Sequence, residues 1–424
     1  MYVDEIRIEN FRSYRRAQIE LLHPDRSAKE LERSFGVKVL YPNINLVLGS
    51  NGRGKSALLK AIGLCCLGPT VADAGIFPYR FVRREYGVTR AVLKAELLPH
   101  DQDGVRPSVK RLSSRVRIER KGDLESLKFL PRAGKEWARI FSDDNDAFFC
   151  AGYGANRRTE DRESFDPSSR RKASTARAQR LRSVFEEQAT LVPLAAWLPA
   201  LRARNKGRYS QVLTLMRAIT GPGHYALTGE LERGEYLFER QGQIVPFPAL
   251  SDGYRAFFGW LGDLLYHVCM TAPSGNKLVD NRGVILIDEI DLHLHPSWQI
   301  EVLPRLSKEL PNIQFIVTSH SPLVVGSLQW LNLIVLEQAA GESSLLLRKE
   351  IPVHGLDADQ VLVTPFFDLP STRAGAKAQH MRELRNKARA GDRSAALALM
   401  DSMSRGDDAP APRSSRPSKR GKTR

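Results

Sequence analysis

Hydrophobic and polar positions alternate at the start of the chain. Val3, Ile6, Ile8 and Phe11 are separated by charged residues, the pattern of a strand with one buried face. Residues 23–38 are polar and predict a loop or a short exposed helix. Residues 45–48 (NLVL) are a short apolar run, as a buried strand would be, and a glycine-rich stretch, 49–56, follows. Residues 57–67 then predict an apolar helix, closed by Gly68 and Pro69. Alternation returns between 90 and 131 and predicts a strand-rich lobe. Four later runs, 147–151 (AFFCA), 284–287 (VILI), 315–318 (FIVT) and 333–336 (LIVL), read as buried strands; VILI, apolar throughout, is of the parallel-sheet type. Helices are predicted over 183–219, 250–268 and 296–310, and a strand–turn–strand over 235–245. The whole predicts an α/β fold with a mixed sheet, a β-rich lobe and a short helical insertion. There is no internal repeat and no sustained heptad run.

Composition narrows this further. The chain has 424 residues, 42% hydrophobic and 26% charged, which excludes wholesale disorder. No run reaches the roughly 18 uninterrupted apolar residues of a membrane helix; the nearest, 256–272, is broken by Asp263 and His267. The first residues carry charges where a secretion signal needs an apolar core, so the expectation is a soluble, cytoplasmic protein without a membrane partner. Cys65, Cys66, Cys150 and Cys269 form no C-x-x-C pair and are expected as reduced thiols in or near the core.

The formal net charge of +16 directs attention to polyanionic partners. Residues 157–182 hold nine basic and four acidic residues in a serine-rich stretch, which predicts an exposed basic loop. A second cluster follows at Arg202, Arg204, Lys206 and Arg208. Residues 405–424 carry seven basic and two acidic residues with three prolines, the composition of a disordered basic tail. These segments are the expected contacts to nucleic acid, DNA in particular.

The chemistry concentrates in four short motifs. Gly49-Ser50-Asn51-Gly52-Arg53-Gly54-Lys55-Ser56 fits G-x-x-x-x-G-K-[ST], and Ala57 continues into the helix. Gly49, Gly52 and Gly54 let backbone N–H groups, including that of Asn51, curl around phosphates. The helix N-terminus adds positive potential. Lys55 would reach the β- and γ-phosphates of ATP, and the Ser56 hydroxyl would ligate Mg²⁺. The run 284–287 delivers Asp288 and Glu289 to the carboxyl end of a buried strand, the ligand edge of an open α/β sheet. There Asp288 would hold Mg²⁺, and Glu289 would act as general base toward the attacking water. His320 lies just past another buried strand, within reach of the γ-phosphate and that water. Ser251 and Gly253, in Leu250-Ser251-Asp252-Gly253, open a helix whose free N–H groups suit an anion; Ser251 reads as its N-cap.

Two other readings of short motifs are weaker. His293 and His295 beside Asp288 and Asp291 have the donor types of a zinc site, but they follow the strand-end acids directly. Residues 276–280 (NKLVD) have one residue too many for guanine recognition.

P-loop, signature, strand-end acids and switch histidine, in this order, resemble the ATP-binding-cassette (ABC) ATPases. Within that superfamily the chain resembles the head ATPases of the SMC, RecF and OLD type, including bacterial AAA family ATPases that stand alone or belong to anti-phage or repair systems. The residues carrying this are IENFRSY near the N-terminus, LSDGYR, IDEIDLHLHPSWQ and FIVTSHSP. The resemblance covers about residues 1–70 and 235–340.

It implies a P-loop NTPase with ABC-head architecture and an ATP-dependent homodimer. In that dimer Ser251 and Gly253 would meet the nucleotide of the other subunit, and Arg12 would approach the phosphates. It also implies a partner effector such as a nuclease. Two departures stand out: His295 occupies the D-loop aspartate position, and no glutamine suits the Q-loop. Gln102 lies in a polar stretch, which leaves the segment GYGANRR for that function.

The expected organisation is a head split over 1–155 and 223–345, a basic loop and helical arm or lid at 156–222, a helical extension at 346–404 and the tail. Two alternatives remain. A transporter nucleotide-binding subunit would need an LSGGQ-type signature, and Lys55 and Ser251 lie 196 residues apart. A built-in nuclease would need a carboxylate cluster for metals, for which only Asp357 and Asp359 have the spacing.

Overall fold

The computed structural model describes the chain except residues 27, 131–133, 142–147, 160–172, 274, 339–342, 368, 370–382, 385, 389–390 and 405–424. The basic tail therefore lies outside the described residues, as does half of the charged run at 157–182.

Two sheets organise residues Met1–Val361. The first is antiparallel and five-stranded, in the order β2-β1-β4-β5-β6. Its strands are β1 (Tyr2–Phe11), β2 (Tyr14–Glu20), β4 (Arg90–Leu98), β5 (Leu112–Lys121) and β6 (Leu124–Leu130). Its alternating residues share a buried face: Ile6 pairs with Ile19 on one side and with Ala95 on the other, Ile8 with Ala17 and Leu93. This is the β-rich lobe that the alternation predicts.

The second sheet is six-stranded, in the order β16-β15-β3-β14-β13-β7. It holds β3 (Ile44–Leu48), β7 (Phe149–Tyr153), β13 (Gly283–Ile287), β14 (Ile313–Thr318), β15 (Leu333–Gln338) and β16 (Ser344–Leu347). Five strands run parallel, and β16 is antiparallel on β15. The central strands are buried at every position, which explains their uninterrupted apolar runs.

Helix α2 (Lys55–Leu67) packs against β4 and β5 on one side and β13 and β14 on the other. Covered by both sheets, it is apolar all round. The stretch Lys55–Ala72, α2 with the turn after it, is long and apolar enough to cross a membrane, and 72% of it is buried inside the protein. All four cysteines are buried and unbridged.

The polar excursion at 23–38 contains α1 (Ala28–Phe35), and α3 (Lys135–Ile140) sets Trp137 in the core. The basic run departs from expectation. Residues Ala173–Phe185 form α4, which packs on β7 and α2. Arg177 and Arg180 on it are buried, not solvated. Arg177 donates to the carbonyl of Ile140 at 2.7 Å and lies over Phe141, and Arg180 donates to the carbonyl of Cys150 at 3.3 Å. The exposed-loop reading fails here because a guanidinium can be buried when backbone carbonyls and ring faces receive it.

Beyond α4, β8 (Arg158–Thr159) pairs with β9 (Thr190–Leu191). Helices α5 (Leu194–Arg204) and α6 (Lys206–Thr220) pack on α7 (Asp252–Thr271). Arg208, expected in an exposed cluster, instead closes the end of α7 through the carbonyls of Cys269, Ala272 and Pro273, at 2.6 to 2.8 Å. A three-stranded ribbon follows α6: β10 (Ala226–Glu232), which sequence reasoning missed, β11 (Glu235–Arg240) and β12 (Gln243–Pro246). Helix α8 (Pro296–Glu309) supplies Trp298, which packs on Phe257 and Tyr254 of α7, and the short α9 (Pro322–Gly326) follows β14. The described residues beyond Val361 belong to a second unit, in which Asp392 Oδ1 caps the helix Arg393–Ser404 by accepting from the N–H groups of Ser394 and Ala395.

Candidate functional site at the carboxyl edge of the parallel sheet

The order of the six-stranded sheet puts three motif-bearing strand ends side by side. The P-loop leaves β3, His320 follows its neighbour β14, and Asp288 and Glu289 follow the next strand, β13. Parallel strands bring all three ends to one edge, so residues some 230 positions apart become neighbours.

In the P-loop, Lys55 folds back over its own loop, and its Nζ donates to the carbonyls of Gly49 at 2.8 Å and Ser50 at 3.4 Å. Burial lowers its pKa, opposed by the negative charges of Asp288, Glu289 and Asp291. Gly54 starts α2 at φ +105°, a conformation that favours glycine, and a Cβ there would sit 2.2 Å from Ser13 Oγ. Asn51 and Gly52 are exposed at the tip, Ser56 is half-buried and Ala57 is buried.

The turn after β13 is held on three sides. The Asp288 N–H donates to the carbonyl of Tyr153 at 2.8 Å, and the Ile290 N–H to the carbonyl of Thr318 at 2.9 Å. The Thr318 hydroxyl accepts from the Glu289 N–H at 2.7 Å and donates to Asp288 Oδ1 at 2.6 Å. Glu289 itself sits at φ +50°, uncommon for a residue with a side chain. Such strain persists where the surroundings over-determine it.

The remaining constraint comes from Arg157, which sequence reasoning assigned to the solvated basic run. The structure moves it into the site. Its Nη2 donates to the carbonyls of both Asp288 and Glu289 at 2.5 Å, and its Nε to the carbonyl of Gly154 at 3.1 Å. Burial draws its pKa down to about 10, against the raising effect of Asp288, Asp291 and Glu289. Arg157 belongs to GYGANRR, the segment leaving β7 beside β13, whereas Gln102 lies exposed in a short turn between β4 and β5. The available signal was positional: Arg157 comes four residues after a buried strand, before the charged run proper.

His320 is half-buried, and its pKa is lowered by burial and then by Lys55. Its Nε2 and Asp291 Oδ1 are buried without a hydrogen-bond partner among the described residues. Unpaired buried polar atoms beside a P-loop are what a bound nucleotide with its cation and water would satisfy. Among the described residues no three His, Cys, Asp or Glu side chains form a metal cluster. Mg²⁺ in phosphate sites is held by one or two protein oxygens together with phosphates and water, so Ser56 and Asp288 suffice as its protein donors. His295, one of the histidines weighed for zinc, accepts from the Ser297 N–H through Nδ1 and caps α8.

The signature segment differs in part from expectation. Ser251 is at the N-cap position of α7, but its side chain makes no capping hydrogen bond and is exposed. Gly253 approaches the loop after β13 so closely that a Cβ would lie 2.5 Å from the carbonyl oxygen of His293. The glycine is therefore required within the subunit, whatever it meets outside. Among the described residues no hydrogen bond joins Arg12 to the P-loop; its half-buried guanidinium lies over Phe81, 5.1 Å from the ring centre, and its Nε has no partner among the described residues. Its neighbours make the contact, Ser13 Oγ to the carbonyl of Arg53 at 3.3 Å and the Tyr14 hydroxyl to the carbonyl of Gly54 at 2.9 Å. A cavity of about 920 Å³, lined by Asn156, Arg157, Asp252, Arg255 and His293 among others, separates α7 from the loop after β7.

A parallel sheet with these loops at its edge, flanked by an antiparallel lobe, defines an α/β P-loop ATPase fold of the ABC-head class. The chain belongs to the family described as "AAA domain, putative AbiEii toxin, Type IV TA system", which it matches over residues 44–326. It is 25% identical over 373 residues to the Septu protein PtuA of Bacillus mycoides, covering 88% of this chain and 45% of that protein. It is 43% identical over 88 residues to the Retron Ec83 probable ATPase of Escherichia coli, covering 21% of this chain and 16% of that protein. The chain thus spans less than half the length of these relatives. In structure it is similar to the SMC head bound to the C-winged helix domain of ScpA, with a TM-score of 0.50 at 16% identity, over 82% of this chain and 98% of that one.

Proposed function

We propose that this chain binds and hydrolyses ATP, dimerises when ATP is bound, and acts on or near DNA in anti-phage defence or repair with a partner effector such as a nuclease. The observation that carries the reading is the convergence of Lys55, Asp288, Glu289 and His320 at adjacent strand ends, with unpaired polar atoms on His320 and on Asp291 just beyond Glu289. In this reading Lys55 and the N–H groups of residues 49–57 hold the phosphates, and Ser56 and Asp288 would hold Mg²⁺, which would supply neutralisation of phosphate charge. Glu289 takes a proton from the attacking water, and neutral His320 hydrogen-bonds toward the γ-phosphate. Arg157 is a positioning residue that fixes the Glu289 carbonyl and so the direction of its side chain.

Ser251 and Gly253 close on the nucleotide of a second copy. The exposed and uncommitted Ser251 hydroxyl supports that role. Residues 1–155 and 223–345 form the head and 156–222 an insertion, although α4 within it is packed into the head. The anti-phage setting and the effector rest on the likeness to PtuA and the retron ATPase. A cytoplasmic location is part of the same reading.

The test is Glu289→Gln, which keeps size and hydrogen bonding but removes the base. It should bind ATP with Mg²⁺, hydrolyse it at least about 100-fold more slowly, and gain mass by light scattering as a dimer. Adding Ser251→Arg should return the protein to its lower mass. Wild-type turnover in Glu289→Gln would show the base misassigned, and an ATP-dependent dimer in the double variant would defeat the sandwich arrangement.

A further inference from the structure

Between α2 and β4 the chain makes a loop with a firmly held base and an unusual surface. At the base, Phe81 and Val82 are buried, and their N–H groups donate to the Glu125 carboxylate at 2.7 and 3.2 Å. The Phe81 ring packs on Phe11 at 5.3 Å. The Arg12 N–H donates to the carbonyl of Phe81, and the Arg83 N–H to that of Asn10. Either side of this anchor, Phe77, Tyr79 and Tyr86 stand 90%, 66% and 107% exposed. Three large aromatics left in water within ten residues are not explained by folding.

The exposed charge around them is mainly positive. Arg80, Arg84 and Arg90 are exposed, and the Arg80 guanidinium lies over the Tyr79 ring at 5.4 Å. The nearby acids are mostly engaged: Glu85 pairs with Arg83 and Arg15, and Glu125 is held by the two backbone N–H groups and Arg84. Asp73 is the exposed acid at the start of the loop. Two copies meeting through this surface would set arginines against arginines, which disfavours self-association. Exposed rings interleaved with arginines suit unpaired bases, which stack on the rings while the arginines meet phosphates. A duplex hides its base faces and offers the rings nothing.

We propose that the loop over residues 76–90 is a binding surface for single-stranded nucleic acid. It deepens the DNA-directed part of the function proposed above and rests on it, but assigns the contact to a surface different from the basic runs at 157–182 and 405–424. The surface is also linked to the nucleotide site. Arg83 donates to the carbonyl of Ser13 at 2.8 Å, and Ser13 and Tyr14 hold the P-loop at Arg53 and Gly54. The loop and the turn that supports the phosphate cradle therefore share one chain of hydrogen bonds.

The test is fluorescence anisotropy on the full chain with labelled oligo(dT), oligo(rU) and a blunt DNA duplex. The triple variant Phe77→Ala, Tyr79→Ala, Tyr86→Ala should lose about tenfold or more in affinity for the tighter-binding single strand. It should keep its salt dependence, its ATP affinity and its melting temperature, since the removed rings are largely exposed. Arg80→Ala with Arg84→Ala should flatten the slope of log K against log salt by about 1.4, at about 0.7 per phosphate contact. Single-strand binding by the triple variant equal to wild type, or wild-type preference for the duplex, overturns the proposal while leaving a DNA-acting ATPase intact. Wild-type protein that binds no nucleic acid at low salt, with or without ATP, overturns both. Loss of assembly in the triple variant with strand binding unchanged would make the loop a protein interface and also overturn the proposal.

Discussion

The P-loop and the loop after β7 leave parallel strands of the same sheet and each places one cation beside the same three acids, yet they use it differently. Lys55 bonds to carbonyls of its own loop, contacts that phosphate oxygens can replace. Arg157 spends its guanidinium on the carbonyls of Asp288, Glu289 and Gly154. Both have their pKa lowered by burial and opposed by Asp288, Asp291 and Glu289. The difference is one of chemistry. A compact ammonium on a flexible stem can move to a ligand, whereas a planar fork that spans two carbonyls fixes the backbone. In the proposed reading one cation serves the nucleotide, and the other holds the strained turn that carries Glu289.

Replacing each cation in turn tests that contrast. Lys55→Ala should lower ATP affinity at least about 100-fold, the loss of charge-assisted bonds to phosphate. Undiminished binding of a fluorescent ATP analogue would end the assignment. Arg157→Ala should leave ATP affinity within about threefold but slow turnover about 10- to 100-fold, because a misplaced base costs rate and not binding. Free guanidinium should restore part of that rate in Arg157→Ala and do nothing for Lys55→Ala. Equal losses of affinity and rate would make Arg157 a ligand like Lys55.

Gly253→Ala tests whether the signature glycine is needed inside the subunit. A Cβ 2.5 Å from the His293 carbonyl should cost about 1–3 kcal/mol in the isolated, nucleotide-free protein. An unchanged denaturation midpoint would return that glycine to a purely intermolecular role. The smallest effect concerns pH. The pKa of His320 is held below its ordinary value of about 6.5 by burial and by Lys55. The unfolded chain therefore takes up a proton more readily than the folded one. The stability that neutral His320 contributes is full above about pH 6.5 and declines as pH falls below it. The melting-temperature difference between wild type and His320→Gln should shift against the wild type from pH 7 to pH 5. A difference that stays constant would mean the imidazole is not held neutral.

The legible part of the site shares one property. Gly49 to Ser56, Asp288 and Glu289 act through local backbone chemistry: glycines that allow a tight loop, a helix start behind it, an apolar run that ends in acids. The less legible part works through partners far away in the chain. Arg157 bonds to residues 131 and 132 positions on, and Arg177 to a carbonyl 37 positions back. A run of arginines reads as solvated because sequence shows the charge and not the carbonyl that receives it. Ser251 shows the reverse: the residue type suits an N-cap, and the folded helix leaves its hydroxyl uncommitted.

By itself, the sequence determined the glycine-rich phosphate loop, the acids at the end of a buried strand, the histidine after the next and the β-rich lobe; the ABC-head class came from the resemblance that these motifs carry. Each of those motifs is written in contiguous periodicity or spacing, where neighbours in the chain are neighbours in space. Only the tertiary structure decided that Arg157 belongs to the site, that Glu289 is strained and held by Thr318, and that Gly253 is fitted against His293. It also decided that Arg177 and Arg180 are internal and that Arg208 closes the end of α7, while Phe77, Tyr79 and Tyr86 are exposed. These depend on which strands lie side by side and on the desolvation each side chain meets there, quantities set by contacts between residues that the sequence keeps apart.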